Sequence, residues 1–422
     1  MLLRLLKFVN KKLRPKHMRN IVDATYLIRY VRKFAGASVL TIESNSVGII
    51  TTTFSLFGCI SFLFWYSLYF YCLYKIHAED QTILRSLYNT KLQHYGDEVE
   101  RFTNNMFILY AIWKVPFDLS GSTIDMQKIV DIDRALQEFG EVAYCSRHWR
   151  LASIVCLAQI FISVTRMFSV WMSLLTLGSK MPIEKVFQMV FTDSIVFIIT
   201  TQYCSYLLIL RRRYRFVNKI LNSVKRNNDT ELSVIGFKNA KFADKPFLVK
   251  EKNVSKKVAG CAKIYSMLYK ATETANEKFG FVILLTMMMT LLQIILYLYY
   301  FMEATASGLF HDFQNYIDFL IYVFWQIGYA LSIIYVCIYF SDATVKEARI
   351  TPHVVHEIIN SDVDPAVTSE AVHLSLQILH QIPTFTAHGL FKLDYMMMLE
   401  GARSVTTFLV ILLQFVTDKH SN

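Results

Sequence analysis

Apolar residues run along this chain in long blocks, unlike the alternation of a half-buried strand or the one-sided stripe of a soluble helix, and polar, basic segments separate the blocks. A bilayer core of about 30 Å needs roughly 20 apolar helical residues, because a helix satisfies its own backbone polar groups where lipid offers no partner. By that criterion residues 47–73, 151–177, 184–210, 279–301 and 316–340 read as spans. Residues 102–119 form a sixth, interrupted near one end by Lys114, Pro116 and Asp118, and 395–416 form a seventh, strongly apolar only from Val405 onward. The predicted fold class is all-α: a polytopic membrane protein with seven transmembrane helices.

Charge then orients the spans. Of the 44 Lys and Arg, 35 fall in residues 1–46, 122–150, 211–278 and 341–403, and 7 in the alternate segments and the tail. Basic residues beside a span stay in the cytosol, so the N-terminus is predicted cytosolic and the C-terminus extracellular. The net charge of +11 thereby points to a membrane surface, not to nucleic acid, since no base-stacking or phosphate-cradling motif accompanies it. The N-terminal segment lacks the continuous apolar core of a signal peptide and reads as uncleaved. Residues 225–253 are polar and basic without sustained periodicity, which predicts a partly disordered loop with helix resuming near Lys256. That loop holds the sequons Asn228-Asp229-Thr230 and Asn253-Val254-Ser255, which a cytosolic loop leaves unmodified.

Ionisable residues inside spans are costly and mark cavities or partners. Arg166 and Asp193 lie in adjacent spans, roughly 16 and 14 Å below the outer ends at 1.5 Å per residue, within reach of each other. A structural ion pair and a wall of a ligand pocket are both open readings. Lys114 and Asp118, spaced i and i+4 near a span end, read as a snorkelling pair. His353, His356, His373 and His380 match no zinc spacing and have no nearby Cys, so no metal and no cofactor is expected.

The most specific signal is near the C-terminus. TFLVILLQF, from Thr407 to Phe415, resembles the insect gustatory-receptor signature TYhhhhhQF, with Phe408 replacing the Tyr and so lacking its hydroxyl. Upstream, FTAHGLFKLDY from Phe385 to Tyr395 is similar to the stretch that precedes that helix in the family, with His388 where a small residue or Cys is usual. The resemblance implies a ligand-gated, non-selective cation channel in the plasma membrane of sensory neurons, opened by a small tastant (a sugar or bitter compound). It implies a homotetramer, with other gustatory receptors as further potential partners, and with lipid and permeant cations around and within it. In that reading residues 1–46 are a cytosolic N-terminal segment and 47–340 a six-helix bundle that holds the ligand pocket and the basic cytosolic loop 211–278. Residues 341–394 are cytosolic anchor helices for subunit assembly, and 395–422 are the pore-lining last helix and a short extracellular tail.

On a helix Thr407, Ile411, Gln414 and Phe415 share a face, so copies around an axis would present polar, apolar and aromatic rings. An ordinary packed helix with one polar residue is the alternative. The pocket would lie in the outer half of the bundle, where Arg166, Trp171, Gln188, Thr192, Asp193, Tyr297, Trp325 and Gln326 offer aromatic faces and hydrogen-bonding groups; for each singly, packing against lipid or a neighbouring helix competes. An insect odorant receptor shares these features apart from the TFLVILLQF ending. A G-protein-coupled receptor would require the opposite orientation and an Asn-Pro-x-x-Tyr; the chain has no Asn-Pro, and Asp133-Arg134-Ala135 precedes the third span. A transporter or membrane-embedded enzyme would have only Asp193 as a coupling carboxylate.

Overall fold

The computed structural model describes residues 21–44, 49–79, 81, 91–114, 119–140, 145–176, 182–235, 246–306, 313–361 and 364–420. After a helical turn at Ile21–Ala24, α1 (Tyr26–Phe34) leads into an antiparallel hairpin of β1 (Leu40–Ser44) and β2 (Ile50–Phe54). Long helices follow: α2 (Leu56–Ala78), α3 (Lys91–Lys114), α4 (Leu119–Gln137), α5 (Cys145–Thr176), α6 (Ile183–Ile235), α7 (Pro246–Ala306) and α8 (Phe313–Ile359). Then come α9 (Pro365–His380), a minimal hairpin of β3 (Thr386–Ala387) and β4 (Phe391–Lys392), and α10 (Tyr395–His420).

The protein is a mostly helical, multi-pass membrane protein. Among the described residues, helices within α2, α6, α7, α8 and α10 are long and apolar enough to cross a bilayer, and α5 carries a shorter apolar stretch, Ile160–Ser169. Each stretch predicted as a span coincides largely with a long helix, but the expected boundaries need two corrections. The first span does not begin at 47. Residues 50–54, ITTTF, pair with β1, because β-branched side chains fit a pleated ladder better than a helix. The helix starts at Leu56, where the Ser55 hydroxyl accepts a hydrogen bond from the Gly58 N–H at 3.3 Å.

The second correction concerns the basic segment 211–278, whose described residues, 211–235 and 246–278, are helical, so helix is already present at Pro246, before Lys256. α6 and α7 run on as helices of 53 and 61 residues, roughly 80 and 90 Å long, far beyond the thickness of lipid. Only 236–245, between them, lies outside the described residues. The cause is a helical repeat hidden among the charges. Tyr214, Val217, Leu221 and Val224 on α6 meet Val258, Cys261, Tyr265 and Leu268 on α7, all at most 1% exposed. Val354, Val355 and Ile358 of α8 and Leu374 and Ile378 of α9 complete this core. It marks one end of the molecule, the basic end, where buried Arg213 also donates to both carboxylate oxygens of Asp133 on α4 at 2.9 and 2.7 Å. A second core of α2, α3, α6, α7 and α8 side chains and a third, tyrosine-rich one on α7 and α8 fill the remaining length towards the other end.

Candidate functional site

Two regions gather the candidate residues. The first is a cavity in the half of the bundle away from the basic end, walled by α3, α5, α6, α7 and α8. Arg166 of α5 lies at its floor, 4% exposed, and donates to Asp193 of α6 and to the Gln326 amide oxygen of α8. Its guanidinium also stacks 4.2 Å from the ring centroid of Tyr329, whose hydroxyl donates to the Asp193 carbonyl at 3.1 Å. One cation is thus held by a carboxylate, an amide and an aromatic face, the combination a buried charge needs in low dielectric. Above it, Tyr297 of α7 and Tyr322 of α8 meet hydroxyl to hydroxyl at 3.4 Å with their rings edge to face. Gln188 of α6 donates to Asn105 at 3.4 Å, and Asn105 also accepts from Tyr69 at 3.1 Å.

The Arg166–Asp193 ion pair, open in the sequence, is present in the structure, and Gln188, Thr192 and Tyr297 line the same cavity. Gln326 reaches it through Arg166. Trp171 and Trp325 are not in its wall. Trp171 follows Arg166 by five residues, turned about 140° around α5, and is 48% exposed beside Phe168. Trp325, half-buried, is turned about 100° from Gln326.

The sequence reading missed Asp97, Glu100, Arg101 and Asn104, which α3 adds to the wall, together with Lys185, Gln293 and Tyr322. Residues 97–101 precede the span expected at 102–119. Their i, i+3, i+4, i+7 spacing, continuing into an apolar stretch, was the overlooked signal of one polar helix face. The lining now holds three carboxylates and three cations. Burial, with the Glu100 charge adding to it, pushes the Asp97 carboxyl up to about 6. The cavity measures only about 40 Å3, space for a few waters and well below the 300–1,000 Å3 of typical ligand pockets. A ligand would have to widen it.

The second region is α10. Val405, Leu409 and Leu412 turn inward against α7 and α8, while Thr407, Phe408, Ile411 and Gln414 are exposed on the other side. Phe415 falls within α10, but its side chain lies outside the described residues. The exposed face of α10 differs from that of α2. On α2 it is mainly Leu56, Ile60, Leu63 and Phe64, with Ser67 the polar residue among them, whereas on α10 three polar residues, Thr406, Thr407 and Gln414, interrupt it.

The FTAHGLFKLDY stretch ties α10 to α7. Asn276 of α7 donates to the Thr384 carbonyl at 2.7 Å and accepts from the Thr386 N–H at 3.1 Å. His388 and Gly389, both at positive φ, make the hairpin turn, and the His388 ring packs edge-on against Phe281. A Cβ on Gly280 would meet the His388 backbone nitrogen at 2.9 Å, so only Gly allows this approach. Asp394 then starts α10 by accepting from the N–H groups of Met396 and Met397 at 3.1 and 3.3 Å.

A family model described as "7tm Chemosensory receptor" matches residues 27–418. "Putative gustatory receptor 28b" of Drosophila melanogaster is 21% identical over 369 residues, 86% of this chain and 77% of that protein. Among solved structures, the insect olfactory receptor OR5 from Machilis hrabei superposes with a TM-score of 0.60 at 11% identity, covering 98% of this chain and 99% of that one. The same receptor in complex with eugenol gives 0.55 at 13% identity, covering 94% and 99%. At such identities the two structures speak to the fold.

Proposed function

The chain belongs to the seven-transmembrane chemosensory receptor family of insect gustatory and olfactory receptors, which form ion channels and are not enzymes, and from that premise we propose that it is a gustatory receptor: a homotetrameric, non-selective cation channel opened by a small polar tastant. It works in the plasma membrane of sensory neurons with its N-terminus cytosolic and its C-terminus extracellular. The observation that carries the gustatory reading is the cavity lining. Asp97, Glu100, Asp193, Arg101, Arg166 and Lys185 around one space suit a water-soluble ligand rich in hydrogen-bonding groups, and disfavour an apolar volatile. The gustatory relative and the TFLVILLQF ending agree with it.

In this mechanism the ligand binds wherever the cavity is widened, and its differential affinity shifts the population towards that state. α7 carries Gln293 and Tyr297 in the cavity wall, and further along the same helix Asn276 and Gly280 grip the hairpin that feeds α10. A small displacement of α7 is therefore delivered to α10, where Ile411 and Phe415 leave the pore axis. Thr407 and Gln414 supply oxygens that replace part of a cation's hydration shell. The domain roles follow: 1–46 cytosolic, 47–340 the ligand-binding bundle, 341–394 anchor helices joining subunits, 395–422 pore helix and tail.

The test is whole-cell current in cells expressing the chain, across sugars and polar bitter compounds, beside Gln414→Ala and Phe415→Ala. Tastant-evoked cation current with altered selectivity or resting leak in these variants is the expected outcome. Currents identical to those of the native chain at equal surface expression would refute the pore assignment.

A further inference from the structure

A second region, reaching from the basic end along α6 as far as Phe187, next to Gln188 of the first cavity, combines two cavities through one arginine. The first is an apolar groove of about 330 Å3 between α1, α2, α5 and α6, lined mainly by aliphatic and aromatic side chains, Trp65, Phe187 and Phe191 among them. It runs along α6 from Phe187 to Thr201, roughly 21 Å at 1.5 Å per residue, more than the ~15 Å depth of one leaflet's hydrocarbon. Exposed Phe34, Ile160 and Val164 border it, so it opens to lipid. The second, of about 190 Å3, mixes charged and polar side chains, Lys114, Asp125, Gln202, Glu277 and Lys278, with apolar Ile199, Phe279 and Val282. Arg32 of α1, 8% exposed, lines both.

The charges of the second cavity are uneven. Three cations, Arg32, Lys114 and Lys278, face two carboxylates; Lys278 is engaged with Asp125 at 2.6 Å, and Arg32 donates to the Ala37 carbonyl at 3.4 Å. Thr274, also in the lining, accepts from Lys128 at 2.5 Å. An apolar slot of acyl-chain length joined to a cationic chamber is complementary to one class of molecule.

We propose that an anionic phospholipid of the α1-side leaflet binds here, one acyl chain in the groove along α6 and its phosphate in the chamber formed by Arg32, Lys114 and Lys278. The charge tally of the sequence puts that leaflet on the cytosolic side, where anionic lipids concentrate. The site is distinct from the tastant cavity, which shares no lining residue with it. Because the lipid bridges α1, α2 and α5 to α6, it would brace the helix that carries Gln188 and Asp193.

Trp65 reports the groove directly. The full chain is reconstituted in phosphatidylcholine nanodiscs doped with phosphatidylserine whose acyl chains are brominated, or with brominated phosphatidylcholine, and the Trp65 share of quenching is the difference between the native chain and Trp65→Phe. Brominated phosphatidylserine should reach half-quenching at a lower mole fraction than brominated phosphatidylcholine. Arg32→Gln and Lys114→Gln should each weaken that preference about fivefold, the loss of one cation's attraction to the anionic lipid. Lys114 is exposed, so its variant decides the matter if Arg32→Gln fails to fold. Equal midpoints for the two lipids, an unchanged preference in Lys114→Gln, or stronger Trp65 quenching by a brominated free fatty acid would each overturn the proposal.

Discussion

Arg166 is the residue on which the electrostatics of the cavity between α3, α5, α6, α7 and α8 turn. It neutralises Asp193, fixes Gln326 and lies over Tyr329, so removing its charge leaves a carboxylate buried without its counter-ion. Breaking such a pair costs about 3–5 kcal/mol, whereas replacing both partners with apolar residues is close to neutral. Arg166→Met should therefore lower the melting temperature of the detergent-solubilised protein sharply, and Arg166→Met with Asp193→Leu should recover most of it; fluorescence-detected size-exclusion after heating measures both. Asp97 gives the cavity a pH dependence. Its folded-state carboxyl sits at about 6, above the ordinary 3.8, so the stability it contributes is full in acid and is lost as pH rises through about 6. Over the same interval the cavity gains a negative charge. A cationic bitter compound should accordingly activate at several-fold lower concentration at pH 7.5 than at pH 5, and Asp97→Asn should flatten that difference in a concentration–response series.

The elements explain what the C-terminal motif does. FTAHGLFKLDY is a clasp: Asn276 holds the β3 strand, Gly280 lets the hairpin backbone touch α7, and Asp394 caps α10. Asp394→Ala should cost about 0.5–2 kcal/mol, the usual worth of a cap, and show as a lower melting temperature. Gly280→Val should act differently, since its side chain meets the His388 backbone and forces the hairpin off α7. The expected phenotype is a reduced maximal current at an unchanged half-activating concentration, because the cavity wall at Tyr297 lies more than four turns further along the helix. A shift in half-activating concentration with the maximum preserved would argue against the coupling role.

At the scale of the whole molecule, the extensions of α6, α7 and α8 build a packed body beyond the bilayer, and α10 stands at the edge with a polar-interrupted face turned outward. Polar side chains within a span face a partner or water more often than lipid. Gln414→Cys should form an intersubunit disulfide in membranes under mild oxidation, while Leu63→Cys, 63% exposed on the mainly apolar face of α2, should not, against the background of the native cysteines on non-reducing gels. Crosslinking at both or at neither position would remove the support for α10 as the subunit-facing helix.

Hydropathy alone determined that this chain is helical and crosses a membrane several times, because lipid imposes one requirement, about 20 apolar residues with internally paired backbone, that any reader of the sequence can apply. The TFLVILLQF and FTAHGLFKLDY stretches were legible for a related reason: each acts within a short length of chain. The α6 and α7 extensions were hidden because their helical repeat is carried by residues such as Tyr214, Cys261 and Tyr265, set among lysines and arginines, and only their mutual burial reveals it. The cavity was half legible. Arg166 and Asp193 advertise themselves by the cost of charge in a span, but Asp97, Glu100 and Lys185 at the rim look like ordinary surface polarity until helices distant in sequence converge on one space. Which side chains face one another across a bundle depends on helix rotation and crossing, set by the packing of all the helices together, and that only the tertiary structure decides.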